Sequence, residues 1–175
     1  MKNLLAIVLL VLTVPCLARG QAQPPKPGPE VQRLGYFVGT WKVDSETATD
    51  PKRSYGGTMV CEWFPGGFSL VCRSEGTGTQ GPTNALYILS YNTVDKAYTM
   101  YVISRTSAAP RAVDKMTVEG NTWTSESETT VGGKPAKVKH AIVEVSPSAW
   151  SYTIEFSVDG GPWTPATELK GVKVR

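Results

Sequence analysis

The feature that most constrains this chain is a rhythm running from residue 40 to residue 172, in which short β-prone runs alternate with tight turns. Ten runs can be marked, at 40–46, 57–64, 68–75, 85–91, 97–105, 112–118, 123–130, 136–145, 151–158 and 164–172. Each is rich in Val, Ile, Thr, Tyr, Phe or Trp, and several alternate apolar with polar residues, as half-buried strands do. The connections are made of turn residues, among them Pro65-Gly66-Gly67, Glu119-Gly120-Asn121, Gly132-Gly133 and Asp159-Gly160-Gly161. Such tight turns join antiparallel neighbours, whereas parallel strands need long crossovers. A meander of this length closes on itself so that no edge is left unpaired. The expected fold is therefore all-β: a closed antiparallel up-and-down β-barrel of about ten strands, with a two-sheet sandwich as the alternative. A short helical turn should precede it, because Val31, Leu34 and Phe37 recur every three residues. Seventeen Gly, thirteen Pro and few Leu beyond residue 17 argue against a helical bundle.

The start of the chain has a different character. Residues 1–22 read as a signal peptide: Lys2 is the basic n-region, Leu4 to Val14 is an uncharged apolar run, and small residues end at Ala22. The run is shorter than the ~20 residues of a membrane span, so no stable membrane insertion is expected after cleavage. Residues 23–29 (Q-P-P-K-P-G-P) read as a proline-rich extended linker, and 30–175 as a single barrel domain. Lys2 and Arg19 fall in the signal, so the net charge of +3 becomes +1 on export. A nearly neutral chain is a poor nucleic-acid partner.

Export also leaves two of three cysteines. Cys61 and Cys72 flank Pro65-Gly66-Gly67 at equal distances from the hairpin centre, which places them opposite each other on one face. Directly opposed Cβ atoms lie ~4.5–5.5 Å apart, close to bridging distance. A four-residue turn makes the two a non-hydrogen-bonded pair, the easier geometry for a disulfide. An oxidising compartment favours the bond.

Chemistry-bearing residues are sparse. His140 is the only imidazole and alternates with Val138 and Ile142, so it points to the inside of a barrel. Glu126 and Glu128 share a strand face, and Glu62 lies diagonally from Arg73 across the Cys61–Cys72 hairpin. No phosphate loop, nucleophile elbow or metal-ligand spacing is present. Alternation nominates Trp41, Trp63, Trp123, Tyr152, Phe156 and His140 as cavity-lining residues. Run 123–130 carries Ser, Thr or Glu on both faces after its Trp, and so fits either a wet cavity wall or an edge. Gly76 to Thr83 reads as a flexible strand connection.

Taken together, Leu34-Gly35-Tyr36-Phe37-Val38-Gly39-Thr40-Trp41 and Cys61-Glu62-Trp63-Phe64-Pro65-Gly66-Gly67-Phe68 resemble an uncharacterised bacterial family, domain of unknown function 1579. Ser90-Tyr91-Asn92, Gly120-Asn121-Thr122-Trp123 and Val158-Asp159-Gly160-Gly161-Pro162-Trp163 agree with it. The resemblance covers nearly the whole chain after the linker. It implies a lipocalin-like, calycin-type barrel, often exported, with no established activity. The Gly39-Thr40-Trp41 opening is also similar to the first strand of lipocalins and of nitrobindin-type haem barrels. A haem would rest on His140 alone, and the glycine-rich segment usual after that Trp is missing here.

These observations lead to an expectation of an exported, periplasmic or secreted barrel that binds a small apolar molecule, without metal or cofactor. The alternatives are an enzyme (isomerase, cyclase or hydrolase) using His140 or Glu126, a haem barrel using His140, and an envelope protein docking through an exposed apolar outer face.

Overall fold

The fold was obtained as a computed structural model that describes residues 25–45, 54–78, 81–105 and 110–174, leaving aside the side chains of residues 112–114. Residues 1–22, read above as a signal peptide, lie outside the described residues. A helix α1 (Pro29–Arg33) runs into a 3-10 turn (Leu34–Phe37). Ten strands follow: β1 (Gly39–Ser45), β2 (Tyr55–Trp63), β3 (Ser69–Gly78), β4 (Gly81–Asn92), β5 (Ala97–Ser104), β6 (Arg111–Glu119), β7 (Thr122–Val131), β8 (Lys134–Ser146), β9 (Ala149–Val158) and β10 (Thr164–Lys173). Each pairs antiparallel with the next, and β10 pairs with β1 to close a barrel. The sandwich alternative is thereby excluded.

Helix α1 begins at Pro29, one residue inside the stretch read as linker, because proline is favoured at the first helical position. The connection expected at Gly76 to Thr83 is instead mostly ladder: Gly76 pairs with Thr83, Thr77 with Pro82 and Gly78 with Gly81. Alternating Gly and Thr suits a twisted strand pair as well as a loop, and the pairing across β3 and β4 decides between them.

The β2–β3 hairpin has the anticipated register, with Cys61 opposite Cys72 and joined to it by a disulfide. The Phe64 N–H bonds the Ser69 carbonyl at 2.8 Å, leaving a four-residue turn. Cys61 and Cys72 stand three steps from that bonded pair and so form a non-hydrogen-bonded pair, with Cα atoms 4.0 Å apart. Gly66 and Gly67 adopt φ of 98° and 75°, a region L side chains rarely enter. On the outer face Arg73 reaches Glu62 at 4.0 Å; both are well exposed, so the pair contributes little.

The helical segment plugs one end of the barrel. Leu34 and Phe37 are buried there with Trp41, Leu70 and Trp123. Trp41 donates to the Phe37 carbonyl (2.7 Å), and Tyr98 donates to the Glu30 carbonyl (3.0 Å). Complete burial of large side chains such as Trp41, Trp123, Leu34 and Leu70 contributes roughly 1.5–3 kcal/mol each for the aliphatic residues and more for the indoles. A bulge at Glu144/Ser146 lies where β8 meets β9 at this end. Glu144 accepts a 2.7 Å bond from Trp123 Nε1 and pairs with Arg33 at 2.8 Å, which ties the plug to the wall.

The wall is uneven along β6. This strand breaks its alternation at Lys115, where φ is 56°, and its register with β5 shifts between Tyr98 and Met100. Three residue pairs join β6 to β7, against ten joining β7 to β8. Beyond Ser125 the described β7 pairing is with β8 alone, and residues 126–131 are exposed. Strand β7 therefore matches the edge reading rather than the wet-cavity one: Trp123 and Ser125 are buried, residues 126–131 are exposed, and none of its residues lines the cavity.

Candidate functional site

Between the plug and the far end the barrel encloses a cavity of about 220 Å³. Register explains its lining. Residues that face the interior on β1–β5 form cross-strand rows, such as Cys72–Tyr87–Val102 and Leu70–Leu89–Met100. The apolar part is made by Phe37, Val43, Met59, Leu89, Met100, Val102, Ile142, Ile154 and Leu169. An engineered apolar cavity of ~150 Å³ accommodates benzene, so this one has room for a somewhat larger molecule.

Two glycines create space for aromatic rings. Gly171 is buried on β10 beside Trp150, and a methyl group there would overlap the indole. Gly76 lies under the Tyr55 ring, 2.6 Å from where its own Cβ would sit. Trp150 and Tyr55 can thus lie flat along the wall and shape the cavity. The Trp150 Nε1 is buried and has no hydrogen-bond partner among the described residues.

Polar groups gather toward the far end. The Tyr55 hydroxyl is bonded to Ser74 Oγ at 2.7 Å. The Tyr152 hydroxyl is bonded to His140 Nδ1 at 2.6 Å, with the two rings stacked. Arg111 lines the same cavity, placed on the inner face of β6 by its pairing with Val102. Burial raises the Tyr152 and Tyr87 phenols above their ordinary value, and the Arg111 cation partly offsets this for both. Burial lowers His140, and Arg111 lowers it further. The inside thus holds neutral phenols and a neutral imidazole beside one permanent cation.

The residues nominated from sequence are distributed differently from the expectation. Tyr152 lines the cavity. Trp41 and Trp123 are instead fully buried in the plug end, where the helical segment covers them. Trp63 is 36% exposed at the end of β2, because the hairpin carries it past the barrel rim. Phe156 faces inward by register but is outside the lining, and His140 stands one hydrogen bond behind Tyr152. Trp150 and Arg111 line the cavity although neither was singled out. Glu126 is on the outer face in an ion pair with Lys137 at 3.2 Å, so it and His140 occupy opposite sides of the wall.

The family model described as "Protein of unknown function (DUF1579)" matches residues 26–172. The chain belongs to this family. No curated protein matches it. Among solved structures, Rv2717c from M. tuberculosis is similar over 86% of this chain and 100% of that one, with 14% identity and a TM-score of 0.55. A redesigned β-barrel, mFAP0, bound to DFHBI, is 14% identical over 79% of this chain and 99% of that one, with a TM-score of 0.43. The Rv2717c likeness supports the fold of this DUF1579 chain and nothing beyond it.

A haem does not fit the space present. The cavity of about 220 Å³ is too small for a macrocycle, and His140, the one imidazole, stands behind Tyr152 and outside the cavity lining. Among the described residues no group of three or more His, Cys, Asp or Glu is placed to hold a metal ion, and no helix is long and apolar enough to cross a membrane.

Proposed function

We propose that this protein is an exported barrel that binds a small, largely apolar molecule in its interior. The observation that carries the reading is the 220 Å³ cavity, walled mainly by aliphatic, Met and aromatic side chains with a few polar groups at one end. Native interiors are otherwise close-packed, so a void of this size at the barrel centre is a feature of the design. Export rests on residues 1–22, and the Cys61–Cys72 bridge is in keeping with an oxidising compartment.

Two measurements test this. Native mass spectrometry of the purified protein should reveal a bound small molecule. Titration with neutral 1-octanol or naphthalene, followed by thermal shift, should stabilise the protein, and Leu89→Phe or Met100→Phe should remove the response. A wild-type protein that these ligands leave unshifted, or fillers that leave the shift intact, would overturn the cavity reading.

A further inference from the structure

The geometry points to an anionic ligand: an apolar acid whose carboxylate meets Arg111 while its body fills the cavity toward Phe37 and Trp150. This deepens the proposed function and rests on it.

Arg111 carries the argument because of where the chain places it. Its register partner Val102 is 6% exposed and faces the cavity, so Arg111 is on the same inner face. Arginine is charged at all relevant pH values and presents a planar fork that matches a carboxylate. Among the described residues no carboxylate comes within ion-pairing distance of it. The inward-facing Glu144 is already held by Arg33 and Trp123 at the plugged end. Glu126 is outside the wall with Lys137. Among the described residues this cation therefore lines a largely apolar cavity without an acidic counterpart, and an anion from outside would complete it.

Three further observations agree. The polar hydroxyls of Tyr55, Ser74 and Tyr152 line the cavity with Arg111, so donors and charge are gathered while the other wall stays apolar. The Tyr87 phenol resists ionisation and so keeps a proton to donate to an anion, and Tyr152 can do the same in the tautomer in which His140 Nδ1 donates to its hydroxyl. Arg111 is itself exposed and begins β6, where the pairing to β7 is confined to residues 117–119, so a ligand can approach it beside that short ladder. At the inner side, the buried Trp150 Nε1 without a partner offers a second donor, suited to an acid with an acceptor along its body.

The test compares octanoate with 1-octanol, which share a chain and differ in charge, by isothermal titration calorimetry on the purified protein. Octanoate is expected to bind about tenfold more tightly than the alcohol, because a charge-assisted contact with Arg111 is added to the apolar burial the two ligands share. Arg111→Gln should abolish that preference and leave 1-octanol binding unchanged. Equal affinities for both in the wild type would overturn the anion assignment and leave the apolar-binding reading standing. Octanoate preference persisting in Arg111→Gln would overturn the role of Arg111. Binding of neither ligand would bring down both readings together.

Discussion

His140 Nδ1 and the Tyr152 hydroxyl lie 2.6 Å apart on adjacent strands, with their rings stacked 5.9 Å between centroids and 12° between planes. The pair buries a titratable imidazole among groups that do not ionise in the neutral range. Its direct consequence is a pH dependence.

His140 is held below the ordinary imidazole value of 6.5, first by burial and then by Arg111. The unfolded chain therefore takes up a proton at a higher pH than the native one. The stability contribution of the neutral imidazole is complete above pH ~6.5 and is lost as pH falls toward the native value. With one histidine in the chain, its NMR titration should report a midpoint below 6.5 without assignment ambiguity. Thermal melts of wild type minus His140→Gln should show the same acid-side loss. A midpoint at or above 6.5 contradicts the burial argument.

Gly171 is needed for the placement of Trp150. Gly171→Ala would drive a methyl group into the indole and force it toward the cavity or the strand outward. A cost of about 1–3 kcal/mol in urea denaturation is expected, typical of overpacking. Altered tryptophan emission and weaker ligand binding should accompany it.

Reduction of Cys61–Cys72 tests the hairpin. The bridge spans a sequence separation of 11, for which loop-closure entropy gives roughly 2–3 kcal/mol. Denaturant midpoints with and without reductant should differ by that amount, and Cys61→Ser/Cys72→Ser should match the reduced protein. Both residues are nearly fully buried, so reduction should be slow until the protein unfolds.

The plug can be probed through Arg33. Its guanidinium pairs with Glu144, lies 5.4 Å from the Trp123 ring centroid, and donates to the Gly120 carbonyl at 3.2 Å. Arg33→Met should cost about 1–3 kcal/mol, because Glu144 loses its counter-ion in a half-dry setting. Adding Glu144→Gln should recover part of the loss, a coupling that a double-mutant cycle reads directly.

The legible and the hidden parts of this fold divide along a physical line. Strand existence, the barrel and the Cys61–Cys72 pair follow from turn chemistry and alternation, which are local properties of sequence. The cavity lining depends on register and on irregularities. In β6, Arg111 and Met116 both face inward although their positions differ in parity, because the backbone breaks at Lys115. No alternation count finds Arg111 across such a break. The tryptophans misled for another reason: Trp41 and Trp123 do point inward, but the helical segment reaches them before any ligand can. Trp150 was not nominated as a lining residue because its placement depends on Gly171, a partner that carries no hydrophobic signal.

The β1–β10 seam bears on how the chain reaches this state. Every other pairing described joins consecutive strands through a hairpin, which local zippering supplies at small entropic cost. The seam joins Trp41 to Lys173, nearly the two limits of the domain, and the Val174 N–H continues it to the Thr40 carbonyl at 2.8 Å. Among the described pairings ring closure is thus the one distant encounter in an otherwise neighbour-to-neighbour assembly, and long-range pairing of this kind is intrinsically slow. Until it forms, β1 and β10 are both exposed templates for intermolecular pairing, so the last strand must reach the first before a neighbouring chain offers its own.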